Sequence, residues 1–351
     1  MRSTRTALRL WLTLSLGAGL TTAVIADGAA ARSLEVLQTW RPGGDGGWDY
    51  LTMDSARKRL FISRATRVDV VSVETGKLIG SVPGTQGVHG IALAPALNRG
   101  FTSNGRANTV TVFDLDTLKV IQEVNVPGRN PDAILYEPAG KHVFTFNGAS
   151  KDVTVLDASS LAVVATIPVP DKPEFAAQDG RGQIFVNIES EPGQMVVIDS
   201  QKLTVKSTWP LAGCNSPSGL AIDRAHRRLF SVCDGKVMAV TDAVSGKQAA
   251  LVPIGEHPDA AGYDHKRRIV YSSNGDGTLS VIRQDAADRY SVVQTLRTQR
   301  GARTMALDDV TGKVYLVSAD FGAAPPATAE QPHPRPALIP DSFVVLVVGE
   351  R

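Results

Sequence analysis

A block of roughly forty residues recurs seven times after residue 45, a period that in short β segments specifies a propeller or a related repeat array. Each copy restarts on a polar residue at one fixed place: Asp49, His89, Asp132, Glu174, Ser218, Asp259 and Arg303, spaced 40, 43, 42, 44, 41 and 44 residues apart. Four mostly apolar positions follow, then usually an acid, as in Asp132-Ala-Ile-Leu-Tyr-Glu137 and Ser218-Gly-Leu-Ala-Ile-Asp223. The repeats leave no room for a linker, so 34–351 is expected to be one domain, and 43% hydrophobic residues supply its core.

Each copy divides into four short β-branched segments separated by Gly, Asn, Asp or Pro. In the second copy these are His89–Ala94, Gly100–Ser103, Thr109–Phe113 and Val120–Val126, strands a to d of a blade. Asn-Gly at 104–105, 147–148 and 274–275 suits tight turns that need positive φ. Asp114, Asp157, Asp199 and Asp242 end strand c, where Asx turns lead on to strand d. The seventh copy has no strand d of its own, and Leu34–Trp40 reads as the missing one. The predicted fold is all-β: a seven-bladed β-propeller of four-stranded blades, its ring closed by the N-terminal strand.

Residues 1–26 read as a secretory signal peptide. Arg2, Arg5 and Arg9 precede an apolar run from Leu10 to Val24, with small residues for cleavage at Ala26, or as far on as Ala31. The competing reading, a membrane anchor, is opposed by the shortness of the run and by Gly17 and Gly19. No cysteine precedes Cys214, so there is no lipobox, and no second apolar stretch is long enough to cross a bilayer. A periplasmic or secreted location follows. Removing 1–26 takes away three arginines and no acid, which leaves acids one ahead of bases; nucleic acid is therefore not an expected partner. The only two cysteines, Cys214 and Cys233, are expected to form a disulfide in that compartment, with free thiols or metal ligation as the alternatives.

The text of the blades resembles the YVTN-repeat, YncE-like family of exported seven-bladed propellers. Gly47-Trp-Asp-Tyr-Leu-Thr52, Val88-His-Gly-Ile-Ala-Leu-Ala-Pro95, Phe101-Thr-Ser-Asn-Gly105, Asn130-Pro-Asp-Ala-Ile-Leu-Tyr136 and Ser273-Asn-Gly-Asp-Gly-Thr278 carry the likeness. It implies the fold and export. It implies no reaction, because propellers host enzymes and binding modules alike.

Sevenfold symmetry would bring the seven restart residues to one channel mouth. Fifteen residues after each, at the end of strand b, a second ring is expected one strand spacing (about 4.8 Å) further out. It comprises Arg64, Asn104, Asn147, Glu189 or Asn187, Cys233, Asn274 and Ser318. Asp49, Asp132, Glu174 and Asp259 set against Arg303 would leave the mouth acidic and raise at least one carboxyl pKa. These four carboxylates, with the Asn amides, suit a divalent cation such as Ca²⁺; His89 would admit a transition metal. The bland alternative is that the polar residues cap turns in a wet channel.

Phe321 to Asp341, with six prolines, is a stiff insertion between strands b and c of blade seven, on the mouth side, and is either a lid, a docking arm or a surface loop. Trp48 is expected at a blade boundary. Lys and Arg on the a–b turns, among them Arg57, Arg227, Arg228 and Arg267, would form an annulus on the opposite face, offset by nearby Asp. No phosphate loop, His-Glu-x-x-His, haem or nucleophile-elbow motif is present. The expectation is a monomeric binding or scaffolding module for a small molecule or protein partner. A metal-assisted lactonase- or lyase-like enzyme at the same mouth, and an anionic-polymer binder on the basic face, are the alternatives.

Overall fold

The computed structural model describes residues 33–326, 328 and 336–351. The region assigned to a signal peptide lies outside them, as do parts of the Pro-rich insertion. The strands form seven four-stranded antiparallel sheets. Six are built from consecutive segments; blade 3, for example, contains Pro131–Glu137, His142–Asn147, Asp152–Asp157 and Val163–Pro168. The seventh takes strands a to c from Met305–Leu307, Val314–Ser318 and Val344–Glu350, and strand d from Leu34–Trp40. Leu34 pairs with Glu350 and Trp40 with Val345, so the ring is closed by hydrogen bonds between the two ends of the described chain.

Alternation along the strands decides where the core lies. Strands b and c are buried on both faces, whereas strand d faces solvent on one. The apolar side chains fall into seven clusters, one per seam between blades. Phe144 and Val155 of blade 3, for instance, pack on Ile184 and Val196 of blade 4, and Leu60 and Ile62 of blade 1 pack on Tyr315 and Val345 of blade 7. Each seam is a sheet-on-sheet contact, so no blade buries its faces without neighbours.

The turns of the face away from the mouth are held by carboxylates. Asp114 accepts from the backbone N–H groups of Asp116 and Thr117 at 3.0 and 2.7 Å, and Asp157, Asp199 and Asp242 repeat the arrangement. The Asn-Gly turns differ from expectation: positive φ is found instead at Asn108, Lys151 and Gly277, later in the same turns.

Cys214 and Cys233 form a disulfide. Cys233 pairs with Pro217 across strands a and b of blade 5, which brings Cys214, just upstream, within reach.

Candidate functional site

All seven restart residues line one cavity of about 430 Å³ at an end of the channel. The backbone explains their common aim. In blades 2 to 6 each restart residue lies at a β-bulge in strand a, between Val88 and Ile91, Pro131 and Ile134, Pro173 and Ala176, Pro217 and Leu220, and Pro258 and Ala260. A bulge removes the residue from the ladder and turns its side chain out of the pleat. Asp49 and Arg303 instead precede the first residue of their strands. The bulges are fixed from the neighbouring blade. Ser103 Oγ donates to the carbonyl of Asp132, Ser273 Oγ to that of Arg303, and Asn187 Nδ2 to that of Ser218 at 2.7 Å. The ring backbone at Asp132, Ser218 and Arg303 is therefore tied to the preceding blade, and the side chains project into the cavity.

Six acids face the cavity (Asp49, Asp132, Glu174, Glu189, Asp234 and Asp259) against two permanent cations, Lys172 and Arg303. Lys172 bonds Glu174 at 2.7 Å and also contacts Glu189. One ammonium cannot neutralise two carboxylates. Burial opposes the ionised form of Glu189, but the Lys172 contact and a hydrogen bond from Glu174 outweigh it and hold its pKa down. Glu174 keeps its proton: burial, then the charge of Asp132, push it up to about 9 against the pull of Lys172. Burial pulls the Lys172 ammonium down, yet both glutamates more than restore it. Asp132 is pushed up to about 6 by burial, with His89 opposing and Asp49 adding. Burial also raises Asp259, in part offset by Arg303 at 3.2 Å. His89 Nδ1 is 2.6 Å from Asp49 and 3.6 Å from Asp132. Burial disfavours its imidazolium, but this hydrogen bond and the two negative charges raise its pKa. Tyr50, beneath the ring, is raised by burial and by four surrounding carboxylates.

Gly105 keeps the site open. A Cβ there would stand 2.7 Å from His89 Nε2 and 2.6 Å from Asn130 Oδ1. The glycine of this Asn-Gly pair is thus required by close approach and not by φ.

The second ring is not at the mouth. Asn104, Asn147 and Asn274 are fully buried inside their hairpins. Asn147 donates to Asp152 at 2.7 Å and Thr154 at 2.9 Å and accepts from Thr145; Asn104 and Asn274 repeat the network with Thr109 and Thr111, and with Thr278 and Ser280. Lacking a bulge, these residues keep strand alternation and point into the blade stack. Asn187 is buried against blade 5, leaving Glu189 as the blade 4 residue that reaches the cavity. Arg64 is enclosed: it donates to the carbonyls of Gly43, Gly44, Asp45 and Gly46, pairs with Asp69 at 3.4 Å and lies 3.7 Å from the Phe343 ring centroid. Burial lowers its pKa to about 10. It anchors the segment joining the closing strand to blade 1.

Sequence reasoning missed Asp234, one residue beyond Cys233, and also Lys172, Ser216 and His257, all of which line the cavity. Lys172, Ser216 and His257 each stand two residues before a ring position, with a proline between. The column was visible in Lys172-Pro-Glu174, Ser216-Pro-Ser218 and His257-Pro-Asp259.

The four-carboxylate cation set is also redrawn. Glu174 is committed to Lys172, and Asp259 to Arg303 and Ser218. Among the described residues, Asp49, His89 and Asp132 are the group whose ligand atoms all lie within 4.8 Å of one another.

Beside the mouth, Phe321 bridges Leu338 across the base of the insertion. Trp48 packs on Phe343 at 5.5 Å and Phe321 at 6.1 Å, at the boundary between blades 7 and 1. On the opposite face the turn cations are largely paired: Arg57 and Arg59 with Asp54, Arg228 with Asp242 and Asp288, and Arg267 with Asp264. Among the described residues, Lys141, Arg181 and Arg227 of the same turns make no ion pair.

No family model and no curated protein matches the chain. Solved structures do resemble it. One is Kuenenia stuttgartiensis hydrazine synthase, at 17% identity and a TM-score of 0.68 over 78% of this chain and 92% of that one. Another is the RRP9 WD40-repeat domain, at 10% identity and 0.72 over 91% and 97%. At these identities the likeness is one of fold: a seven-bladed β-propeller.

Proposed function

We propose that the protein is an exported binding module whose channel mouth seats a positively charged group of a small molecule or protein partner. The observation that carries this reading is the excess of carboxylates over cations in a cavity of about 430 Å³. Burial, with the charge of neighbouring carboxylates, makes Glu174 hold a proton up to about pH 9 and Asp132 up to about pH 6. A ligand cation would supply the missing charge and release those protons. The Cys214–Cys233 disulfide supports an oxidising compartment, and no helix among the described residues is long and apolar enough to cross a membrane. Calorimetric titration with ethylamine tests the reading. Binding should release protons to the buffer and vanish in Asp49→Asn; heat-free titration in the wild type refutes it.

The grouping of Asp49, His89 and Asp132 favours a second reading, a divalent cation held at the same mouth. Such a cation would polarise a carbonyl, the chemistry of a metal-assisted lactonase- or lyase-like enzyme. Metal analysis after purification without chelator decides between them. A stoichiometric ion lost in Asp132→Ala supports the enzyme; no ion, and no change in melting temperature with Ca²⁺, Zn²⁺ or Mn²⁺, supports the binding module.

A further inference from the structure

A second cavity, of about 450 Å³, opens beside the mouth and shares Arg303 with it. Its remaining wall is apolar: Trp48, Phe321, Pro336 and Leu338. Phe321 is 40% exposed although it is a large aromatic residue. Trp48 is fixed from behind by Phe343, so the shelf has a rigid floor. Gly301, at φ +81° with its Cβ position 3.2 Å from the Phe321 ring, lets the chain pass under the shelf to Arg303.

The junction between the two cavities carries adjacent opposite charges. Arg303 Nε stands 3.2 Å from Asp259 Oδ2, and that buried oxygen has no hydrogen bond. The Arg303 side chain is 53% exposed, and among the described residues its terminal nitrogens donate no hydrogen bond. Its backbone is clamped by Ser273. A guanidinium with free donors beside a carboxylate that lines the mouth complements a carboxylate and an ammonium that are themselves neighbours. In a free α-amino acid they share one carbon; in a peptide they are separated by its length.

We propose that mouth and shelf form one site for a free α-amino acid with an aromatic or large aliphatic side chain. The carboxylate meets Arg303 in a forked contact, the ammonium meets Asp259 and the acids behind it, and the side chain covers Trp48, Phe321 and Leu338. This rests on the reading of the mouth as a seat for a cationic group and adds the ligand's other two parts.

Calorimetry on the full chain with L-phenylalanine, L-alanine and ethylamine tests the three contacts separately. L-phenylalanine should bind at least about tenfold more tightly than L-alanine, as expected from burying an aromatic side chain. Phe321→Ser, at an exposed position, and Leu338→Ala, at a half-buried one, should each erase that ratio by weakening L-phenylalanine. Arg303→Gln should erase the advantage of L-alanine over ethylamine. Equal binding of the two amino acids, or a ratio that survives both shelf variants, overturns the inference while ethylamine binding lost in Asp49→Asn keeps the mouth reading intact. Failure of ethylamine to bind the wild type overturns both.

Discussion

Asp132 and Asn147 belong to one hairpin: Asn147 pairs with Pro131, the residue before Asp132. Both are small polar residues at the same end of blade 3, and they have opposite fates. Asp132 sits on a bulge, opens on the cavity and is forced toward protonation. Asn147 follows regular alternation, is sealed from water and satisfies its amide within the blade. The same contrast runs round the molecule, between a ring whose backbone is fixed and whose side chains are under-partnered, and a ring whose side chains are themselves the fixings. In blade 3, then, the polar residue at the strand end is a candidate for binding where the backbone departs from the ladder.

Substitutions should separate the two rings by size and sign of effect. The largest loss is expected at Arg64, where alanine leaves four carbonyls without their donor and Asp69 with Arg67 as its remaining cation; chemical denaturation should show about 3–5 kcal/mol less stability. Next is Cys233, the blade 5 member of the outer ring. Opening its disulfide by Cys214→Ser with Cys233→Ser, across 19 residues, should cost about 3 kcal/mol in the same assay. Asn147→Ala leaves Thr154 and Asp152 short of a buried donor and should cost about 1–3 kcal/mol. At the inner ring, Glu174→Gln and Asp132→Asn remove carboxylates whose ionised form burial disfavours, so they should stabilise the fold near neutrality while abolishing binding of a cationic ligand. A mouth variant that unfolds the protein, or an outer-ring variant that spares its stability, would break the comparison.

The inner ring should also be readable through pH. Glu174, Asp132 and His89 have folded pKa values above their ordinary ones, so the folded protein retains protons that the unfolded chain releases. Their contribution is complete at acid pH and is lost as pH rises, for Asp132 through about 6 and for Glu174 through about 9. Glu189, lowered, contributes in the opposite sense as pH rises through the ordinary carboxylate range. Melting temperatures between pH 6 and 9 should therefore fall, and Glu174→Gln should flatten the upper part of the decline.

The sevenfold spacing made the blades legible, because a forty-residue period in β segments has few solutions. The missing strand d made the closure by Leu34–Trp40 legible, and the hairpin of blade 5 did so for Cys214 and Cys233. The outer ring was misplaced for a definite reason. Counting fifteen residues from Asp132 gives position 147 correctly, but not which way its side chain faces, and takes no account of the prolines that open four of the five bulges, at 131, 173, 217 and 258. The buried networks did leave a trace: Thr145-x-Asn147 followed by Asp152-x-Thr154, and Ser272-x-Asn274 followed by Thr278-x-Ser280, put polar residues at alternate positions on both arms of a hairpin. Lys172 was hidden because only blade 4 has a permanent cation at that place.

The closing strand has a consequence for how the molecule can go wrong. Before Leu34–Trp40 docks, Val344-Val-Leu-Val-Val348 presents an unpaired, wholly apolar β edge, a ready template for aggregation. The same segment from a second molecule offers an identical partner, so any truncation or tag that delays docking invites strand exchange between copies.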